Sequence, residues 1–253
     1  MAQSADSLIY RSQSVRSVGV GFPTVNYSLL SPLNHSGYAL YFHSTRFFDK
    51  PEYLTQFQLH FELGLLYNNA NDSYITTLGF NGEWSRHWYA SDRTRPLRLL
   101  LGAGADAGVN IYMKEDNTNN PLAYFFNLSA NPDILIKYRW DNGKKTKFEL
   151  GQQIYFPLVS LISSSEYSSA LPYGFTEEEA SFFEAMRLVS FGSFRKCATI
   201  TTLDITPALD RRQKLPVFRI TYMFSGMNYN KGDFSIKSAD HLFLFGAIFH
   251  LFR

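Results

Sequence analysis

From Leu54 to Tyr67 the chain alternates two kinds of side chain at a period of two. One series reads Phe57, Leu59, Phe61, Leu63, Leu65, Tyr67, and the other Gln56, Gln58, His60, Glu62, Gly64, Leu66. Successive residues of a strand point to opposite faces. The segment is therefore a ribbon, oily on one side and carrying amides, an imidazole and a carboxylate on the other. Strands in soluble sheets run for about five or six residues, and this one is more than twice that long. Such length suits a strand that crosses a bilayer at a tilt.

The same pattern recurs in ten stretches, over residues 15–27, 38–48, 54–67, 74–89, 97–113, 122–140, 147–162, 194–205, 217–228 and 239–252. No linker interrupts them, so residues 1–253 are read as one domain, with 1–14 as a flexible periplasmic N-terminus. The expected fold is all-β: a transmembrane antiparallel up-and-down β-barrel of about ten strands. An even number puts both termini on one side, the periplasmic side in bacterial barrels. Pro23 is expected to end or bulge the first strand, and Asn131-Pro132 to bulge the sixth. Asp141-Asn142-Gly143 reads as a hairpin turn with positive φ at both central residues. Residues 163–192 form the longest interruption, with the acidic run Glu177, Glu178, Glu179 and a helical turn over 181–188.

Composition agrees with that reading. The chain has 23 Phe, 16 Tyr and 3 Trp, enough to supply an aromatic girdle at each interface. Mean hydropathy is slightly negative, at −0.18, because a barrel shows lipid only every second residue. No run of about 18 apolar residues occurs, so no transmembrane helix is expected. A net charge of +2 is too balanced for a nucleic-acid partner. The single cysteine, Cys197, allows neither an internal disulfide nor a cysteine-based metal site. An outer-membrane protein needs export, yet Met1-Ala2-Gln3-Ser4-Ala5-Asp6 carries no signal features. The expectation is a mature chain whose signal has been removed, with Met1 added for expression.

The opening Val18-Gly19-Val20-Gly21-Phe22-Pro23-Thr24-Val25-Asn26, followed by Leu30-Ser31-Pro32-Leu33-Asn34-His35-Ser36-Gly37, resembles an uncharacterised Bacteroidetes-type family of outer-membrane barrels. Glu166-Tyr167-Ser168-Ser169 and Phe182-Phe183-Glu184 match that family's late Tyr/Ser/Glu-rich loop. The resemblance implies the fold and the bacterial outer membrane. It implies no activity. Separately, the aromatic last strand ending at Phe252 is similar to the C-terminal signal by which such barrels are recognised for assembly.

Chemistry is sought on the inward face. His60, Glu62, Glu83, His87, Arg98, Asp106, Lys137, Arg139, Glu149 and Arg219 are expected to form a polar network in the lumen. Isolated burial costs several kcal/mol per charge, so these groups must pair. A salt-bridged plug and a narrow small-solute channel are both compatible with them. Glu83, Ser85 and His87 together suggest a hydrolase triad. Ser85 and His87 lie about 6.5–7 Å apart along the backbone, but Glu83 and His87 about 13 Å. An acid would have to come from a neighbouring strand, for example Glu62 or Asp106. His43, His241 and His250 could pair on a metal only if the barrel brought them level. No cofactor and no metal site is expected. The expected partners are outer-membrane lipid and other outer-membrane proteins, in a non-enzymatic structural or accessory role. The alternatives are the channel and a membrane-embedded lipid or protein hydrolase using Ser85 and His87.

Overall fold

The computed structural model describes residues 11–28, 30–70, 72–114, 122–143, 146–164, 186–207, 217–231 and 234–251. Twelve strands follow in chain order: β1 (Arg11–Tyr27), β2 (His35–Asp49), β3 (Tyr53–Asn68), β4 (Ser73–Tyr89), β5 (Leu97–Met113), β6 (Leu122–Asp141), β7 (Lys147–Tyr155), β8 (Val159–Ser164), β9 (Arg187–Ser190), β10 (Phe194–Thr206), β11 (Val217–Lys231) and β12 (Phe234–Leu251). All pairings are antiparallel, and β1 closes against β12. The result is a closed ten-stranded barrel. The count is ten because β7 and β8 are two halves of one stave, both paired to β6. Likewise β9 and β10 are separated only by the turn 191–193, and β8–β9 extends one side of the wall.

Lipid contact dictates which face turns outward. Phe57, Leu59, Phe61, Leu63, Leu65 and Tyr67 are all exposed, while Gln56 and Gln58 are buried. A soluble barrel would reverse this. On β5 the exposed residues are Leu97, Leu99 and Leu101, and Arg98, Leu100 and Asp106 face inward. Aromatic rings collect at both rims. Tyr138, Trp140 and Phe148 stack at the end bearing the termini, with centroids 5.6 and 5.3 Å apart, and Tyr67 and Tyr74 stack at the other, 6.3 Å apart. These are the interfacial positions where rings with a polar edge are favoured.

The register fixes the shape. Stepping from Gly19 through Tyr41, Glu62 and Gly79 leads to Asn110 on β5. Stepping the other way, through Leu244, Thr221, Thr202, Gly151 and Lys137, leads to Arg98. Asn110 and Arg98 stand twelve positions apart on the same strand. With ten strands, that stagger gives a tilt of about 40° and a backbone radius of about 10 Å. Inward side chains nearly fill such a bore.

Several local expectations are corrected. Asn131-Pro132 causes no bulge, since the β5–β6 register runs unbroken from Leu97↔Tyr138 to Met113↔Leu122. The break lies on the partner stave instead, at 156–158, where Pro157 stops the ladder and the register to β6 slips by one residue. The expected strand 147–162 is therefore divided. Pro23 neither ends nor bulges β1; the ladder to β2 skips Phe22 and Pro23 and resumes at Thr24↔Ser36. Having no N–H, proline removes a rung and leaves the alternation intact. At the 141–147 connection only Gly143 has positive φ, 71°, among the described residues. Residues 11–14 belong to β1 rather than to a flexible terminus, because both β2 and β12 are long enough to pair with them. Arg187 and Leu188, read as the end of a helical turn, lie in β9. The acidic run 177–179, the Tyr/Ser/Glu-rich loop and Phe252 fall outside the described residues. In the turn between β4 and β5, the Thr94 backbone N–H and hydroxyl both donate to Asp92, at 2.9 and 2.8 Å. Those bonds favour the carboxylate and hold its pKa below the usual value.

Candidate functional site within the barrel lumen

Read along the axis, the lumen has three layers. At the end bearing the termini, Val15, Phe47, Leu54, Leu100, Leu135, Val217 and Ile248 form a buried apolar floor. At the far end a thicker apolar roof gathers around Tyr27, Tyr112, Phe125, Phe194 and Tyr229. Its rings interlock, with Phe125 6.0 Å from Phe194 and 6.2 Å from Tyr229. Between floor and roof lies a polar chamber with a cavity of about 120 Å³. Each layer draws inward residues from most of the staves.

Around and beneath the floor is a charged cluster. Glu149 lies 2.7 Å from Arg98, 3.2 Å from Lys137 and 2.7 Å from Arg139. Arg98 and Lys137 face each other across β5 and β6, and the carboxylate between them removes the like-charge penalty. Arg219 makes a two-pronged bond to Asp204, both contacts 2.6 Å, from the position directly opposite. Lys137 and Arg219 both lie over the Phe47 ring, at 5.8 and 5.0 Å. Arg139 is mostly exposed at the mouth rather than enclosed in the lumen, because β6 runs past the floor.

The chamber is acidic. Glu83 and Asp106 are directly opposite on β4 and β5. Asp106 accepts from Asn127 and Asn131, each at 2.7 Å, and from Lys196 at 2.6 Å. Gln153 donates to Glu83 at 3.2 Å and to Asp133 at 2.7 Å. Glu62 accepts from Thr77 at 3.0 Å. His60 packs edgewise on His43, 5.6 Å away, and against Tyr41 at 5.1 Å. All ten network residues expected from sequence thus lie on the inner face, nine within the wall and Arg139 at its mouth.

The hydrolase reading fares differently. His87 Nε2 stands 2.8 Å from an acid, but the acid is Asp133. Glu62 is engaged by Thr77, and Asp106 by Lys196 and two asparagines. Both sequence candidates for the acid are therefore corrected. The contact is possible because Gly102 lies on β5 between His87 and Asp133. A Cβ there would come within 2.8 Å of the His87 ring. Ser85 Oγ is fully buried and has no hydrogen-bond partner among the described residues, so serine and histidine are not joined by a hydrogen bond. The hydrogen-bonded base that would activate a serine nucleophile is thus not in place at Ser85 in this geometry. Ser85→Ala should leave folding and any lipid or peptide turnover by the purified barrel unchanged; a loss of turnover measured against wild type would contradict this.

Among the described residues, His43 and His241 do not assemble a metal pair. His43 points inward and bonds Thr45 at 2.8 Å, whereas His241 is outward and meets Tyr222 at 2.8 Å; the His250 side chain lies outside the described residues. Sequence reasoning missed Asp133, Lys196, Asp204 and Asp240, the last lining the chamber and accepting from Ser225 at 3.4 Å. Their inward parity was the available signal, but Pro132 obscured it for Asp133.

Among solved structures, the chain is similar to the outer membrane protease OmpT of Escherichia coli. The TM-score is 0.55 at 10% identity, over 99% of each chain. It is also similar to the translocator domain of the autotransporter NalP of Neisseria meningitidis, with a TM-score of 0.50 at 8% identity, over 97% of this chain and 90% of that one. At such identities the likeness establishes the outer-membrane β-barrel fold and nothing about activity. No curated protein matches the chain. Residues 2–253 match a single family across the whole barrel, and the chain belongs to that family, described as "Protein of unknown function (DUF3316)".

Proposed function

We propose that this barrel is a non-enzymatic outer-membrane protein with a sealed lumen, serving as a structural element or as an accessory subunit of an outer-membrane assembly. The observation that carries the reading is the pair of apolar layers, one on each side of the chamber. An ion crossing the roof would lose its hydration with no charge to replace it, and at the floor the nearby cations Lys137 and Arg219 are already tied to Glu149 and Asp204. The chamber's carboxylates are each held by a hydrogen bond from the wall, as in a plug rather than a filter. A bacterial outer-membrane location, export behind a removed signal, and a Bacteroidetes-type origin belong to the same reading; the last rests on the opening sequence resemblance.

Planar-bilayer recordings test it. Wild type should show no stepwise conductance. Phe125→Ala with Tyr229→Ala should also stay silent, because the floor remains. Adding Phe47→Ala and Leu100→Ala should open measurable steps. Conductance in the wild type would instead favour the small-solute channel, a reading supported by the polar chamber alone. For the accessory role, gentle extraction from native outer membranes should recover a stoichiometric protein companion, and recovery of the barrel alone would remove it.

A further inference from the structure

We infer that the lipid-facing surface of β1–β3 is a binding site for a phospholipid of the periplasmic leaflet, its phosphate held by Arg16 and Arg46 and one acyl chain lying in the groove beside them. Both arginines point outward, and both are exposed. Neither has an ion-pair partner among the described residues. Arg16 faces Ser44 across the β1–β2 ladder, and Arg46 faces Ser14 two rungs away. The two guanidiniums and two hydroxyls thus form one polar patch beside the exposed apolar side chains Val18, Phe42, Leu59 and Phe61.

The level of the patch is set by the barrel's stagger. A horizontal line drops about 1.2 residues per strand in a barrel with this register. On that scale Arg16, Arg46 and Arg86 lie within about 3 Å of one another along the axis. The same level elsewhere carries the exposed Leu101 on β5, Ile134 on β6 and Ile220 on β11, and the mutually bonded Gln152 on β7 and Thr201 on β10. Arginines are therefore gathered on one side only. Arg86 is already committed, lying over the rings of Tyr53 at 4.5 Å and Trp84 at 5.7 Å. Arg16 and Arg46 are left for a ligand.

A groove of about 460 Å³ begins at Arg16 and Ser44 and climbs toward the bilayer centre between Val18, Phe42, Leu59 and Phe61. Guanidinium forks match phosphate oxygens in two-pronged geometry. An apolar channel that ends at such a fork matches an acyl chain attached to a phosphodiester. The charge at the groove's lower end selects the occupant, and its position on the side of the termini selects the periplasmic leaflet, where phospholipid is the lipid at hand.

Native mass spectrometry of the full chain in neutral detergent tests the site, with phosphatidylglycerol, diacylglycerol and lipid A as probes. Wild type should retain one phosphatidylglycerol and no diacylglycerol. R16Q/R46Q should weaken retention roughly 10-fold or more. R195Q, on the outward face of β10 toward the other end, should not. Phe42→Ala should weaken phosphatidylglycerol while leaving both arginines in place, which separates the groove from bare charge attraction. Equal retention of diacylglycerol, or no effect of R16Q/R46Q in a barrel that still shows its folded, heat-shifted mobility, would overturn the site. Retention of lipid A in preference to phosphatidylglycerol would overturn the leaflet.

Discussion

Asp106→Ala should destabilise the barrel by about 3–5 kcal/mol, the usual cost of stranding one partner of a buried ion pair. The aspartate is the sole carboxylate bonded to Lys196 among the described residues, at 2.6 Å. It also accepts the side-chain amides of Asn127 and Asn131. Its loss leaves a largely buried ammonium and the Asn131 amide without this acceptor, and leaves the Asn127 amide with only the longer bond to Ser129, 3.3 Å. Urea titration of the barrel refolded into lipid vesicles reads the effect as a lower midpoint. Removing the ammonium as well, in Asp106→Ala/Lys196→Met, should recover a substantial part of the loss. The coupling between the two changes then measures the pair itself. A double variant no more stable than the single would mean that Lys196 does not depend on Asp106.

Phe61→Arg should cost about 2–4 kcal/mol in the same titration, because Phe61 lies on the lipid face near mid-height. Tyr67→Arg, at the rim of the same strand, should cost about 0–1 kcal/mol, since the charge reaches the interface there. This gradient with depth is the signature of a bilayer around the barrel. In a water-facing wall neither substitution would matter and no gradient would appear. If both variants unfold at the wild-type midpoint, the outward face is not in lipid.

Much of this architecture was legible in the sequence because the signals were local. Alternation along each strand settles which residues look outward, and Phe57, Phe61 and Leu65 obey it. The inward set followed from the same parity. What stayed hidden depends on residues far apart in the chain. His87 meets Asp133 because Gly102 between them has no side chain, and nothing near His87 indicates that. Division of the lumen into floor, chamber and roof follows from the twelve-residue stagger, which no single strand carries. The proline expectations failed for a related reason. Pro23 and Pro132 each remove one donor, but the partner strands on either side hold the ladder in place. Only at Pro157 does the stave actually break.

The seam between β1 and β12 has a consequence for assembly. Ser12 is paired with Leu251, almost the full chain away. Until the last strand has arrived, two long edges of backbone have no partner, and a hydrocarbon interior supplies none. The cylinder must therefore be zipped shut as it enters the bilayer or afterwards remain outside it. Halting synthesis before β12 would yield a sheet that lipid rejects, however correct its other staves. The final eighteen-residue strand acts as a checkpoint for the whole molecule.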